Sequence, residues 1–158
     1  MEQLCDHQSV GVIVRNSNQD IVLLNRARFP YGLAAPAGHV DDHGSLEQAA
    51  IDEVFEEVGL VIPISGLVKV INQRRVDGNV CRRQGGDYHV WTVYRADNID
   101  GAISASQEET RGASWYTPDR LQQLAEITRQ QIESEVRPGA QTLEHIWLNF
   151  FEELSLVK

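Results

Sequence analysis

Between Asp41 and Glu57 the chain carries Asp41, Asp42, Glu47, Asp52, Glu53, Glu56 and Glu57, and no Lys or Arg occurs between Arg28 and Lys69. Glu53, Glu56 and Glu57 stand at i, i+3 and i+4, the spacing that puts side chains on one face of a helix. Acidic side chains help at a helix N-terminus and hurt at its C-terminus, by about 0.3–1 kcal/mol each. Glu56 and Glu57 fall in the last turn before Gly59, the unfavourable end. Like charges at i, i+4 cost a further ~0.2–0.5 kcal/mol. A solvated acidic face is the plain alternative, since most charge runs are that. The placement argues instead for a cation supplied from outside. Clustered carboxylates suit hard ions, Mg²⁺ first, then Mn²⁺ or Ca²⁺. Such a site can neutralise the charge of an anionic substrate and orient a water.

Other chemistry-bearing residues are scattered. Arg74, Arg75, Arg82 and Arg83 gather around one long connection. They could form an electropositive lip for a polyphosphate, with Arg74 the candidate substrate contact; a solvated hairpin is the alternative. His39 is a candidate substrate contact or a structural hydrogen-bonding group. Tyr88 and Trp91 could wall a base pocket, although core packing suits Trp91 better. Cys5 and Cys81 show no ligand spacing and need no disulfide, which fits a reducing cytoplasm.

These residues need elements to hold them. Ser9 to Arg15 and Ile21 to Arg26 are aliphatic, β-branched runs, and Asn16 to Asp20 is turn chemistry, so a hairpin is expected. Phe29 to Gly38, with two prolines and two glycines, reads as a loop. Ser45 to Val58 is the clearest helix, with Ser45 and Gln48 as a capping box and Gly59 as the left-handed stop. Ile51, Val54, Phe55 and Val58 form its apolar arc. Ile62 to Val76, Tyr88 to Ala96 and Ala113 to Tyr116 read as strands. Thr117-Pro118 opens a helix, a further helical stretch covers about Thr128 to Val136, and Pro138-Gly139 breaks it. Leu143, Ile146, Trp147, Phe150, Phe151 and Leu154 make the stripe of a last helix.

The 158 residues carry 14 Lys+Arg against 23 Asp+Glu, a net charge of -9, and 42% hydrophobic residues. This length favours a single domain over 1–158. The negative charge argues against a nucleic-acid polymer and against an anionic membrane surface. Met1 to Val10 is too polar for the apolar stretch of a signal peptide, and no apolar run approaches the ~20 residues of a membrane span. A cytoplasmic protein is expected.

The stretch Pro36-Ala37-Gly38-His39-Val40 through Gly59-Leu60 resembles the Nudix box. Gly38 is the leading glycine, and Glu53, Val54, Glu56, Glu57, Gly59 and Leu60 fill their places. Gly44 stands where the family has its first glutamate, Asp52 where it has arginine, and Ala37 where glycine is common. The resemblance implies an α/β (α+β) fold, an α/β/α sandwich with a mixed central sheet and C-terminal helices. It implies Mg²⁺, or Mn²⁺, held by Glu53, Glu56 and Glu57, with Gly38 and Glu109 added to the metal set. The same three glutamates are the candidate catalytic residues. Family members often draw an acid from a later loop, where Glu108 and Glu109 lie, and contact substrate at the position of Arg26. A homodimer is a common state in the family. The implied activity is hydrolysis of nucleoside di- or triphosphates or other nucleoside-diphosphate derivatives; a weakened or inactive nucleotide-binding module is the alternative. With an aspartate in place of the arginine, neighbouring glutamates should titrate higher, and Asp52→Arg with Gly44→Glu should restore the site.

Overall fold

The computed structural model describes residues 3–134 and 142–158. Its strands are β1 (Gln8–Val14), β2 (Ile21–Arg26), β3 (Leu33–Ala34), β4 (Ala37–His39), β5 (Leu67–Asp77), β6 (Tyr88–Ala96) and β7 (Thr110–Tyr116). The helices are α1 (Leu46–Val58), α2 (Pro118–Glu133) and α3 (His145–Glu153), with a short 3-10 turn at Ile64–Gly66 before β5.

A four-stranded sheet runs β4-β1-β6-β5 and a three-stranded one β3-β2-β7. The first is mixed: β1 and β6 are parallel over Gln8↔Val90 to Val14↔Ala96, and the other pairs are antiparallel. The expected hairpin between β1 and β2 does not form as a ladder. Both edges of β1 are taken by β4 and β6, so β2 pairs with β3 and β7 instead. Only the turn survives, with an isolated bridge Arg15↔Ile21 and the Asn16 side chain accepting the Asn18 and Asp20 N–H groups.

The segment 29–38, expected as loop, contributes β3 and the start of β4. Its prolines, Pro30 and Pro36, flank these short strands rather than interrupting their ladders. The two helical stretches expected after Thr117 are one helix, α2, capped by the Thr117 side chain accepting the Arg120 N–H. The expected helix end at Val136 and the break at Pro138-Gly139 lie outside the described residues.

Alternation along the strands sends side chains to two cores. Val10, Val12 and Val14 of β1, Val22 and Leu24 of β2, and Tyr94 and Ala96 of β6 pack with Ala49, Ala50, Val54 and Val58 of α1. Ile13, Ile21, Leu23, Trp91 and Val93, from the same strands, pack with Leu121 and Leu124 of α2 and Trp147, Phe150 and Phe151 of α3. The result is a mixed α/β fold with α1 on one side and α2 and α3 on the other. The apolar arc of α1 is rotated from expectation: Phe55 is exposed, and the small Ala49 and Ala50 face the sheet. Small side chains let the helix lie close, and this rotation turns Glu57 inward.

Candidate active site

Helix α1 begins at Ser45, whose side chain accepts the Gln48 N–H, and ends at Gly59 with φ 73°. The capping box is half formed, because the Gln48 side chain donates to Asp52 (2.7 Å) rather than turning back. At the far end of the helix Glu57 is only 6% exposed and accepts the Ala37 N–H at 2.8 Å. Burial, opposed by that bond and by the Arg26 charge, pushes its carboxyl up to about 8. Glu53 is also driven up to about 8, by burial first and then by the charges of Glu57, Glu56 and Glu109. Gly38 passes so close to the Glu53 carboxyl that a Cβ there would overlap it. Glu56 is exposed. Adjacent desolvated carboxylates disfavour ionisation unless a cation joins them. An all-oxygen donor set of this kind fits a hard divalent ion.

The departure at Asp52 from the family pattern has a local explanation. The His43 ring donates from Nδ1 to the Asp52 carboxylate at 2.7 Å and presents Nε2 to Glu53 at 3.5 Å. Burial lowers the His43 pKa, but the Asp52 bond and the charges of Glu53, Asp52 and Glu56 win and raise it. Asp52 is itself held low by its bonds to His43 and Gln48. The expectation that Asp52 raises the neighbouring glutamates is therefore corrected. Its charge is spent on His43, and Glu53 is raised chiefly by burial. A histidine outside the helix supplies the donor to Asp52 that no Lys or Arg in helical reach could.

Glu53, Glu57, Gly38, His39, Arg26 and Glu109 border one cavity of about 200 Å³, with Arg28 and Arg83 on its rim. Glu108 does not border it. Arg26 lies at the end of β2, donates from Nε to the Pro30 carbonyl (2.6 Å) and approaches Glu144 at 3.7 Å. A second cavity shares Arg26, Gly38 and His39 with the first and is also lined by Asn79, Val80, Pro30 and Glu144. A third, larger and more apolar cavity of about 460 Å³ shares Pro30, Asn79, Val80 and Glu144 with the second and is walled by Phe29, Tyr31 and Ile146. Along these adjoining cavities, carboxylates line the first, Arg26 lies between the first and the second, and apolar and aromatic side chains line the third.

Arg74 lies elsewhere, in an exposed two-bond pair with Glu153 (2.7 and 2.8 Å). Arg75 covers the Tyr88 ring and pairs with Asp77. Of that cluster only Arg83 reaches the cleft, held by Asp41 at 2.6 and 2.8 Å. Trp91 packs against Trp147 and Phe150, while its Nε1 donates to Asn79. His39 has its pKa lowered to about 4, by burial first and then by Arg83, and its Nε2 lies 3.6 Å from the Cys5 Sγ. The sequence reading missed Glu144, Asn79 and the gathering of Cys5, Cys81 and His89 beside His39. They are distant in sequence, and no local spacing signals them.

A mixed sheet between helices, with a strand–loop–helix unit presenting carboxylates to a cleft, defines the class of architecture. Residues 6–135 match the family model of the NUDIX domain. The chain is 28% identical over 134 residues to a Bacillus subtilis (strain 168) protein described as "Putative 8-oxo-dGTP diphosphatase", covering 85% of this chain and 82% of that one. Its fold is similar to the MutT protein from Methanosarcina mazei Go1, with a TM-score of 0.64 and 19% identity over 98% of this chain and 96% of that one. It is also similar to the NUDIX domain of Shewanella oneidensis NrtR, solved in complex with ADP ribose (TM-score 0.62, 18% identity, 98% and 88% covered). The chain belongs to the Nudix family of pyrophosphohydrolases. No helix among the described residues is long and apolar enough to cross a membrane.

Proposed function

We propose that this protein hydrolyses a phosphoanhydride bond in a nucleoside di- or triphosphate, or a related nucleoside-diphosphate derivative, with Mg²⁺ as cofactor. The observation that carries the reading is the graded cleft. Its carboxylate end suits a metal-bound polyphosphate, Arg26 suits a bridging phosphate, and the recess by Phe29 and Tyr31 suits a base. Glu53 and Glu57 would hold the ion, with Glu56 the exposed third carboxylate of the same face and Gly38 giving the room for close approach. Bound there, Mg²⁺ would neutralise phosphate charge and polarise the reacting oxygens.

The protein's own groups do the rest. His43, braced by Asp52, fixes the Glu53 carboxylate. Glu109, which also borders the cavity, is the group we assign to orient the attacking water and accept its proton, a role worth ~10²–10⁴-fold in rate. Arg26 orients the substrate. Arg74 is left out of the substrate set, because Glu153 holds it away from the cleft. The similarity to a relative described as an 8-oxo-dGTP diphosphatase makes oxidised purine triphosphates part of the first panel.

The test is phosphate and pyrophosphate release from nucleoside triphosphates, 8-oxo-dGTP, ADP-ribose and dinucleoside polyphosphates, with Mg²⁺ and with EDTA. Metal-dependent turnover of at least one of these is expected. Nucleotide binding without turnover of any compound would overturn the proposal in favour of a binding module.

A further inference from the structure

The Sγ atoms of Cys5 and Cys81 and a ring nitrogen each from His39 and His89 all lie within 4.8 Å of one another. They come from four separate places: the segment before β1, β4, the β5–β6 connection and β6. The two sulfurs are 3.8 Å apart, and Cys5 Sγ lies 3.6 Å from His39 Nε2 and 3.4 Å from His89 Nε2. A tetrahedral zinc site with Zn–S of about 2.3 Å and Zn–N of about 2.0–2.1 Å has edges of about 3.8 Å between sulfurs and about 3.6 Å between sulfur and nitrogen. The three edges that meet at Cys5 thus have the lengths of such a site, and the other three are no longer than 4.8 Å.

The surroundings complete it. His89 Nδ1 lies 2.6 Å from the Asn79 carbonyl. A carbonyl only accepts, so Nδ1 carries the proton and Nε2 keeps its lone pair toward the cysteines. Each sulfur also receives a backbone N–H from two residues on, His7 to Cys5 at 3.3 Å and Arg83 to Cys81 at 3.4 Å. The Cys5 segment is tied to the same connection by Cys5 N–H to Gln84 O (2.9 Å) and Gln84 N–H to Gln3 O (3.1 Å).

We propose that Cys5, His39, Cys81 and His89 bind one zinc ion in a closed, four-ligand structural site. The thiolate and imidazole donors separate it from the oxygen-only carboxylate site on α1, and it does not rest on the hydrolase reading. The ion would fasten the β5–β6 connection and the N-terminal segment to β4. Because His39 adjoins Gly38, the site would fix one wall of the catalytic cleft without taking part in the reaction.

The experiment is a cobalt(II) titration of reduced, chelator-treated full-length protein in excess Mg²⁺, followed by zinc displacement. One cobalt per chain is expected, with the strong visible absorption of tetrahedral cobalt and a near-ultraviolet thiolate-to-cobalt band, both erased by one equivalent of zinc. Cys5→Ser and Cys81→Ser should each weaken the thiolate band and lower zinc affinity at least tenfold. Glu57→Gln should leave the spectrum intact. Zinc should raise the melting temperature of the native protein and not that of Cys81→Ser, whose far-ultraviolet circular dichroism checks its fold. His89→Gln gives a second test should either serine variant fail to fold. Cobalt bound without a thiolate band, an unchanged spectrum in a folded Cys81→Ser or His89→Gln variant, or no cobalt binding at all would overturn the proposal. So would a Cys5–Cys81 disulfide persisting with reductant present.

Discussion

At the scale of single residues, two of the positions that break the family pattern, Gly44 and Asp52, form a different local solution. Gly44 has φ 97°, a region where non-glycine residues carry strain on the order of 1–3 kcal/mol. Asp52 is the anchor of His43, and His43 faces Glu53. Restoring the family residues should therefore harm this chain. The Gly44→Glu, Asp52→Arg double variant should melt lower than the native protein and need more Mg²⁺, not less. Thermal unfolding and rate against Mg²⁺ concentration check this; a lower Mg²⁺ requirement would show that these positions are degenerate. Glu144 offers a second test at this scale. Burial pushes its carboxyl up to about 7 despite Arg26. Between 4.5 and 7 the unfolded chain ionises this group while the folded chain keeps its proton, so stability falls as pH rises through that window. Gln at 144 does not titrate. Glu144→Gln should gain stability relative to the native protein on going from pH 5 to pH 8, read by urea unfolding of the metal-free proteins at both values. A constant difference would contradict a buried, near-neutral carboxyl.

At the scale of elements, α1 presents the carboxylates proposed to hold the metal and α3 carries packing. Phe150 is buried between Trp91 and Trp147, with ring centroids 5.5 and 5.4 Å away. Phe150→Ala should cost about 3–5 kcal/mol, the usual range for emptying an aromatic core position. Denaturant unfolding measures it, and a cost below ~1 kcal/mol would mean that α3 does not help hold the sheet. The opposite holds on α1. There Glu57 is buried with a raised pKa, so the helix tolerates its carboxylates at the expense of metal-free stability.

At the scale of the whole molecule, a ligand that binds only the folded chain stabilises it by RT ln(1 + [L]/Kd), about 2.7 kcal/mol at 100 Kd. For a chain of this size that corresponds to a rise in Tm of roughly 5–10 °C at saturating Mg²⁺. In Glu57→Gln the rise should largely vanish, turnover should fall by at least ~10²-fold, and the metal-free Tm should be equal or higher. Calorimetric scans with and without Mg²⁺, beside initial rates, test all three. Retained activity in Glu57→Gln would remove Glu57 from the metal set.

The sequence by itself determined the family, the helix that bears Glu53, Glu56 and Glu57, its Ser45 and Gly59 ends, and the structural stripe of α3. Each is a local pattern: a cap, a period of 3.6, a fixed motif spacing. Only the tertiary structure decided which face of α1 is buried, because that depends on how closely Ala49 and Ala50 let the helix approach the sheet. It also decided that β1 and β2 part into separate sheets, since strand pairing is a contest among distant edges. It sent Arg74 to Glu153 and Arg83 to the cleft, although the four arginines look alike in sequence. And it brought Cys5, His39, Cys81 and His89 to one point. Their separations along the chain show no ligand spacing, and only parallel pairing of β1 with β6, with β4 on the other edge of β1, makes them neighbours.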